Sequence, residues 1–75
     1  MRLYPNPVAD GVLNIAAEGV GTLSVYNNAG ALVLSQPLDC SAGVAAANVA
    51  SLQAGIYYAR FVTANGASVQ KFIVK

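Results

Sequence analysis

The stretch YYARFVTANGASVQKFIV, residues 57–74, decides the fold of this chain. β-Branched and aromatic residues recur on both sides of Asn65-Gly66, the dipeptide preferred in two-residue type I′ turns. This pattern predicts a β-hairpin that pairs outward from the turn. The predicted register contains the pairs Ala64–Ala67, Val62–Val69, Phe61–Gln70, Arg60–Lys71, Ala59–Phe72, Tyr58–Ile73 and Tyr57–Val74.

Side chains alternate between the faces of a strand, so this register divides the hairpin into two faces. The predicted core face carries Tyr57, Ala59, Phe61, Phe72 and Val74. The opposite face, here called the outer face, carries Tyr58, Arg60, Val62, Val69, Lys71 and Ile73. Like charges opposed across two strands are mildly destabilising, so the predicted Arg60–Lys71 pair suggests that a partner uses these cations.

The outer face combines apolar area with groups that can donate hydrogen bonds to an anion. This combination suits docking onto a protein groove or a phosphorylated glycan. The alternative is an ordinary solvated face on which the long cationic side chains splay apart. Replacing both cations with glutamine separates the two interpretations.

The rest of the chain shows the same two-residue periodicity between turn residues, which predicts an all-β sandwich. Strands are predicted at residues 12–16, 22–26, 31–36 and 44–48, with Pro37 ending the third of them. Alanines make the last of these segments ambiguous, since alanine favours helix. Tyr4-Pro5-Asn6-Pro7 can form only an edge strand or an extended entry, because proline lacks a backbone donor.

Length and composition limit the possible functions. The chain has 75 residues, enough for a single domain over 1–75. A net charge of +1 argues against nucleic-acid binding by bulk electrostatics, and the sequence contains no apolar run long enough to span a membrane. No signal-peptide pattern follows Met1, which looks like an artificial start, and we expect the natural polypeptide to continue upstream.

The sequence offers no catalytic constellation. It has no histidine, three acidic residues and one cysteine, so neither a thiol hydrolase nor a metal site is predicted. Glycines fall singly at turns, and no phosphate loop or cofactor site is expected. Cys40 is interpreted as a buried small hydrophobe, with a mixed disulfide or surface thiol as the alternatives.

Four motifs in order resemble the C-terminal sorting domain, type A, of the type IX (Por) secretion system of Bacteroidetes. They are Tyr4-Pro5-Asn6-Pro7, Val25-Tyr26-Asn27 followed by Gly30, Leu52-Gln53-Ala54-Gly55-Ile56-Tyr57, and Lys71-Phe72-Ile73-Val74-Lys75. The resemblance covers nearly the whole chain. Ala45-Ala46-Ala47 and Cys40 depart from the family's pattern.

The resemblance implies an immunoglobulin-like antiparallel β-sandwich of about seven strands. It assigns structural roles to Tyr4, Pro5, Asn6, Pro7, Gly30, Leu52, Gly55 and Tyr57. The segment from Leu52 to Tyr57 resembles a tyrosine corner, with Gly55 giving freedom at the bend and Gly30 a left-handed turn position. The final strand and its basic residues are implicated in export, which adds Lys75 to the predicted partner-binding residues.

Functionally, the resemblance implies a label recognised by translocon and shuttle proteins. Cargo would pass through the periplasm and across the outer membrane, to remain at the cell surface or be secreted. A sortase-like protease would act upstream of Tyr4. Two alternatives stay open: a surface adhesion or carbohydrate-binding module of the same fold, and a domain that self-associates through its edge strands.

Overall fold

A computed structural model describes residues 1–75 and contains seven strands and no helix. The strand bounds are β1 (Arg2–Tyr4), β2 (Val12–Ala16), β3 (Val20–Asn27), β4 (Leu32–Asp39), β5 (Val44–Asn48), β6 (Gly55–Thr63) and β7 (Gly66–Val74). The strands form two antiparallel sheets, ordered β1-β2-β5 and β4-β3-β6-β7. This arrangement confirms the predicted β-sandwich with an immunoglobulin-like architecture.

The core lies between the two sheets and consists of side chains from alternate strand positions. None of its buried residues is polar or charged. Leu13 and Ile15 of the smaller sheet, with Leu23, Val25 and Phe72 of the larger one, are fully inaccessible to solvent. Cys40 is also buried and has no disulfide partner, which confirms its interpretation as a small core residue.

The predicted β2 and β5 agree with the structure to the residue. In β5, Ala47 is buried in the core, while Val44 is 43% exposed. The prediction that Pro37 ends β4 is wrong, because the strand continues to Asp39. β4 is an edge strand, and an edge position tolerates a residue without a backbone donor.

The β6–β7 hairpin forms as predicted, but its register differs. Thr63 pairs with Gly66 across a loop made of Ala64 and Asn65, and Tyr57 pairs with Phe72 instead of Val74. No residue other than glycine has a positive φ, so the predicted type I′ turn is absent. The hydroxyl of Thr63 accepts a hydrogen bond from the N–H of Asn65, at 3.1 Å, and favours a loop one residue earlier.

This correction moves every pair by two residues along β7, which equals the side-chain period of a strand. The division into faces is therefore unaffected. All five predicted core-face residues are buried, and all six predicted outer-face residues are exposed. The pairing of Arg60 with Lys71 is wrong, since Arg60 lies opposite Val69 and Lys71 lies opposite Tyr58.

The N-terminal segment passes from one sheet to the other. β1 pairs with β2, and after the two prolines Val8 forms a parallel bridge with Val74. The side-chain oxygen of Asn6 accepts a hydrogen bond from the N–H of Ile73 at 3.0 Å. The N–H of Val8 donates to the carbonyl of Ile73 at 2.7 Å, and the N–H of Lys75 donates to the carbonyl of Val8 at 2.8 Å. We call residues 6–8 the clamp.

The tyrosine corner is present. The hydroxyl of Tyr57 donates to the carbonyl of Gln53 at 2.6 Å, four residues upstream, and Leu52 packs partly buried against the core. Gly30 has a φ of 86°, which confirms its left-handed turn position. Gly55 begins β6 with a φ of 159°, which is close to extended backbone.

Candidate recognition surface

The outer face of the hairpin is part of a larger exposed surface on the four-stranded sheet. Leu32, Tyr26, Tyr58 and Lys71 stand in one row across β4, β3, β6 and β7, each directly opposite the next. The neighbouring row consists of Ser35, Ser24, Arg60 and Val69. The outer face therefore continues over the whole width of the sheet.

Apolar side chains contribute much of this surface. Val69 is 62% exposed and Leu32 is 55% exposed, while Tyr58, Val62 and Ile73 each expose more than a third of their area. Single exposed apolar residues are ordinary, but neighbouring ones on one sheet form a patch. Such a patch is typical of a surface that contacts another molecule.

The cations of the outer face have no carboxylate from their own hairpin. No acidic residue occurs between Gly55 and Lys75, so Arg60 and Lys71 face only neutral cross-strand neighbours. Asp39 at the end of β4 is held within its own loop by the Ser41 hydroxyl and backbone N–H, and these hydrogen bonds lower the pKa of its carboxyl. Asp39 is thus bound within its own loop, whereas Asp10 lines a pocket together with Lys75.

Lys75 follows β7 and is exposed. Because its backbone N–H is bonded to the clamp, the last residue has a defined backbone position next to Ile73. The structure therefore places all seven predicted partner-binding residues on or beside one exposed ribbon. Tyr4, Asn6, Gly30 and Leu52, which were predicted to be structural, lie outside this ribbon, and Tyr57 lies on its core face.

Sequence reasoning identified the hairpin's contribution to this surface but missed Leu32. The row that joins Leu32 to Tyr58 depends on β3 pairing with both β4 and β6. The β3–β6 pairing joins residues that are 30 to 42 positions apart in the chain. Local turn residues do not predict a long-range strand pairing of this kind.

Cys40 does not belong to the surface. Burial raises the pKa of its thiol, and the nearby charge of Asp39 raises it further. A buried thiol of raised pKa is a poor nucleophile, since the reactive form is the thiolate. Its sulfur lies 3.8 Å from the carbonyl oxygen of Ile15, which makes it a core contact.

The chain belongs to the family described as secretion system C-terminal sorting domains, whose model matches residues 2–75. The domain is accordingly a C-terminal sorting signal for type IX secretion. This family is not an enzymatic one. Membership implies interaction with the secretion system and export across the outer membrane, to the surface or into the medium.

No curated protein matches the chain. The structure contains no helix that is long and apolar enough to cross a membrane.

Proposed function

We propose that the outer face, together with Lys75, is the surface that the type IX translocon and its shuttle proteins recognise. The observation that carries this proposal is the row in which Tyr58 stands between Tyr26 and Lys71 on an exposed, acid-free hairpin. A receptor that covers this row removes apolar area from water and meets cations that have no internal partner.

The two kinds of group have different energetic roles. Burying Val69, Tyr58 and Ile73 supplies affinity at roughly 25 cal/mol per Å² of apolar area, less the entropic costs of association. Arg60 and Lys71 provide orientation and selectivity, because they favour a receptor surface that carries carboxylates or phosphates. Recognition should therefore weaken as the salt concentration rises.

The N-terminal end of the domain supports an upstream cleavage site. Residues 2–4 are paired with β2, and residues 6–8 are bonded to the end of β7. A protease needs an extended, accessible segment, which is more readily provided by polypeptide preceding Arg2. The proposal therefore includes transit through the periplasm, removal by a sortase-like protease upstream of Tyr4, and attachment or release of the cargo outside the cell.

The test is an export assay with a periplasmic reporter fused to residues 2–75, in a strain that has the type IX machinery. The double variant Arg60→Gln/Lys71→Gln should reduce export by about tenfold, as expected when two ion pairs of about 0.7 kcal/mol each are lost. Arg2→Gln is the matched control, because Arg2 is an exposed cation on β1 in the opposite sheet.

Folding of each variant is checked by thermal unfolding followed by circular dichroism. Normal export of the folded double variant would refute the proposal. An equal loss in the Arg2→Gln control would show that total charge matters and not the outer face, which also contradicts it.

A further inference from the structure

The hydrogen-bonding edge of β7 is only partly occupied. β7 ends the four-stranded sheet, so one side of its backbone faces away from β6. The N–H and carbonyl of Ile73 both point to this free side, where they bond to Asn6 and Val8. Because the direction alternates along an antiparallel strand, the backbone groups of Lys71, Val69 and Ala67 point the same way. β6 is the only strand that pairs with β7, and no hydrogen bond outside the strand ladders involves these groups, so they have no partner.

This free edge has defined limits. The clamp closes it at Ile73, and the Ala64-Asn65 loop ends it at Gly66. β1 lies on the same side of the sandwich but pairs with β2 alone, so it uses none of the β7 groups. What remains is a short segment of unpaired strand, Ala67–Lys71, in which every residue is exposed.

A cleft lies directly beside the free edge. It has a volume of about 430 Å³ and lies where the short β1 leaves the inner side of the hairpin uncovered. It is lined by Met1, Ala17, Glu18, Phe61, Thr63, Asn65, Gly66, Ala67 and Ser68. An added strand would direct alternate side chains toward this cleft and toward the outer face.

We propose that Ala67–Lys71 is a β-addition site, which pairs with an extended segment of a protein of the export machinery. The proposal rests on the proposed function, since it takes the export machinery as the partner. Main-chain hydrogen bonds would give affinity, and the alternating side chains would give selectivity. The outward side chains of the added segment would be apolar beside Val69 and acidic beside Lys71, and its inward side chains would be small or polar.

Charge complementarity favours a different protein over a second copy of this chain. A second β7 paired around Val69 would bring Ala67 opposite Lys71, and that strand could supply no carboxylate, because residues 66–74 contain no acid. The lysine would remain without an acidic cross-strand partner in such a dimer. A segment bearing Asp or Glu satisfies both the backbone edge and the cation.

The experiment removes one outward N–H without disturbing the pairing with β6. Val69→Pro deletes the N–H of Val69, and Val69→Thr keeps that N–H with a side chain of similar shape. Ser35→Pro is the matched control, because β4 is the other edge of the same sheet and already carries a proline at Pro37. Each variant is fused to the same periplasmic reporter, and its folding is verified by circular dichroism.

Val69→Pro should lower export by about tenfold, as expected when an added strand is left with an unsatisfied carbonyl. Val69→Thr keeps the N–H but also makes the outer face more polar, so Val69→Pro is compared with it and should export about tenfold less than Val69→Thr. Ser35→Pro, on the other edge, should lower export by about twofold at most. If Val69→Pro does not fold, Ala67→Pro tests the next outward N–H.

Amide hydrogen exchange of the unaltered domain provides a second test. The amides of Ala67, Val69 and Lys71 must exchange rapidly, and protection there would overturn the proposal.

Equal export of Val69→Pro and Val69→Thr would also overturn it. If Arg60→Gln/Lys71→Gln still impairs export in that case, the outer-face proposal stands and only the edge proposal is refuted. If instead Val69→Pro exports less than Val69→Thr while Arg60→Gln/Lys71→Gln exports normally, the outer-face proposal is refuted and the edge proposal stands. Sedimentation of the isolated domain identifies the occupant. A dimer that Val69→Pro abolishes would assign the edge to a second copy and refute the heterologous strand.

Discussion

The two faces of the β6–β7 hairpin are made by the same strands and differ in almost every physical respect. The core face, typified by Tyr57 and Phe72, is at most 8% exposed and contains no charge. The outer face, typified by Tyr58 and Lys71, is exposed and carries both cations of the hairpin. The comparison teaches that one hairpin can supply stability from one side and leave an exposed, cationic surface on the other. Substitutions on the two sides should therefore have separable effects.

The largest effect is expected from Phe72→Ala. Phe72 is fully buried and stacks on Tyr57 with ring centroids 5.7 Å apart. Removing such a ring costs about 3–5 kcal/mol, which is comparable to the total stability of about 4–11 kcal/mol expected for a chain of this size. Urea denaturation should show a midpoint at a much lower urea concentration, and the variant should be largely unfolded in water if the parent stability lies at the lower end of that range.

Its matched control is Ile73→Ala, one residue along the same strand but on the outer face. Since Ile73 is 38% exposed, this change should cost about 1 kcal/mol or less. Similar losses of stability in the two variants would break the distinction between the faces.

The next effect concerns the hydroxyl groups of the two adjacent tyrosines. Tyr57→Phe removes the hydrogen bond to the carbonyl of Gln53 and should lower the free energy of unfolding by about 1–2 kcal/mol. Tyr58→Phe removes an exposed hydroxyl with no hydrogen bond inside the domain, and should change it by less than about 0.5 kcal/mol. Thermal denaturation curves compare the two, and an equal or reversed order would count against the tyrosine corner as a stabilising feature.

A smaller effect is expected at the clamp, which fixes the end of the hairpin. Asn6→Ala leaves the N–H of Ile73 to water and should cost about 0.5–1.5 kcal/mol. Amide exchange at Ile73 should accelerate more than exchange at Leu23 in the core. Asn28→Ala, in an exposed turn, is the control. Unchanged protection of Ile73 in Asn6→Ala would show that the side chain does not hold the strand.

The smallest effect on stability is expected from the outer-face cations. Arg60→Gln and Lys71→Gln, separately or together, should change the free energy of unfolding by less than about 0.5 kcal/mol, because neither side chain is buried or opposed by a like charge. Urea curves at low and high salt measure this. A marked stabilisation at low salt alone would indicate that the two cations repel each other in the fold.

The sequence was sufficient to predict the faces of this hairpin, because alternation of apolar residues determines them regardless of the turn. The register depended on a turn assignment, and the Asn65-Gly66 signal was outweighed by Thr63, whose hydroxyl stabilises the preceding loop. The predicted faces are therefore correct although the predicted pairs are displaced by two residues along β7. The argument from an opposed Arg60 and Lys71 is wrong, because it depended on those pairs.

Long-range placement could not be obtained from local patterns. The clamp joins Asn6 to Ile73 across 67 positions, and the motif Tyr4-Pro5-Asn6-Pro7 by itself predicts an extended segment with no indication of its partner. The continuation of β4 through Pro37 could not be predicted from local sequence either. Proline ends an interior strand, and only the sheet order shows that β4 lies at an edge.

The path of the N-terminal segment also sets the direction in which the domain presents itself. Met1 lies beside the tip of the hairpin, with Asn65 and Gly66, whereas Lys75 lies by Val8 at the far end of β7. The nine residues of β7 span about 30 Å, close to the 30 Å length of the whole domain. Any polypeptide joined to Met1 is thus attached at the end of the domain opposite Lys75. A receptor that binds at the Lys75 end would meet that polypeptide across the 30 Å length of the domain.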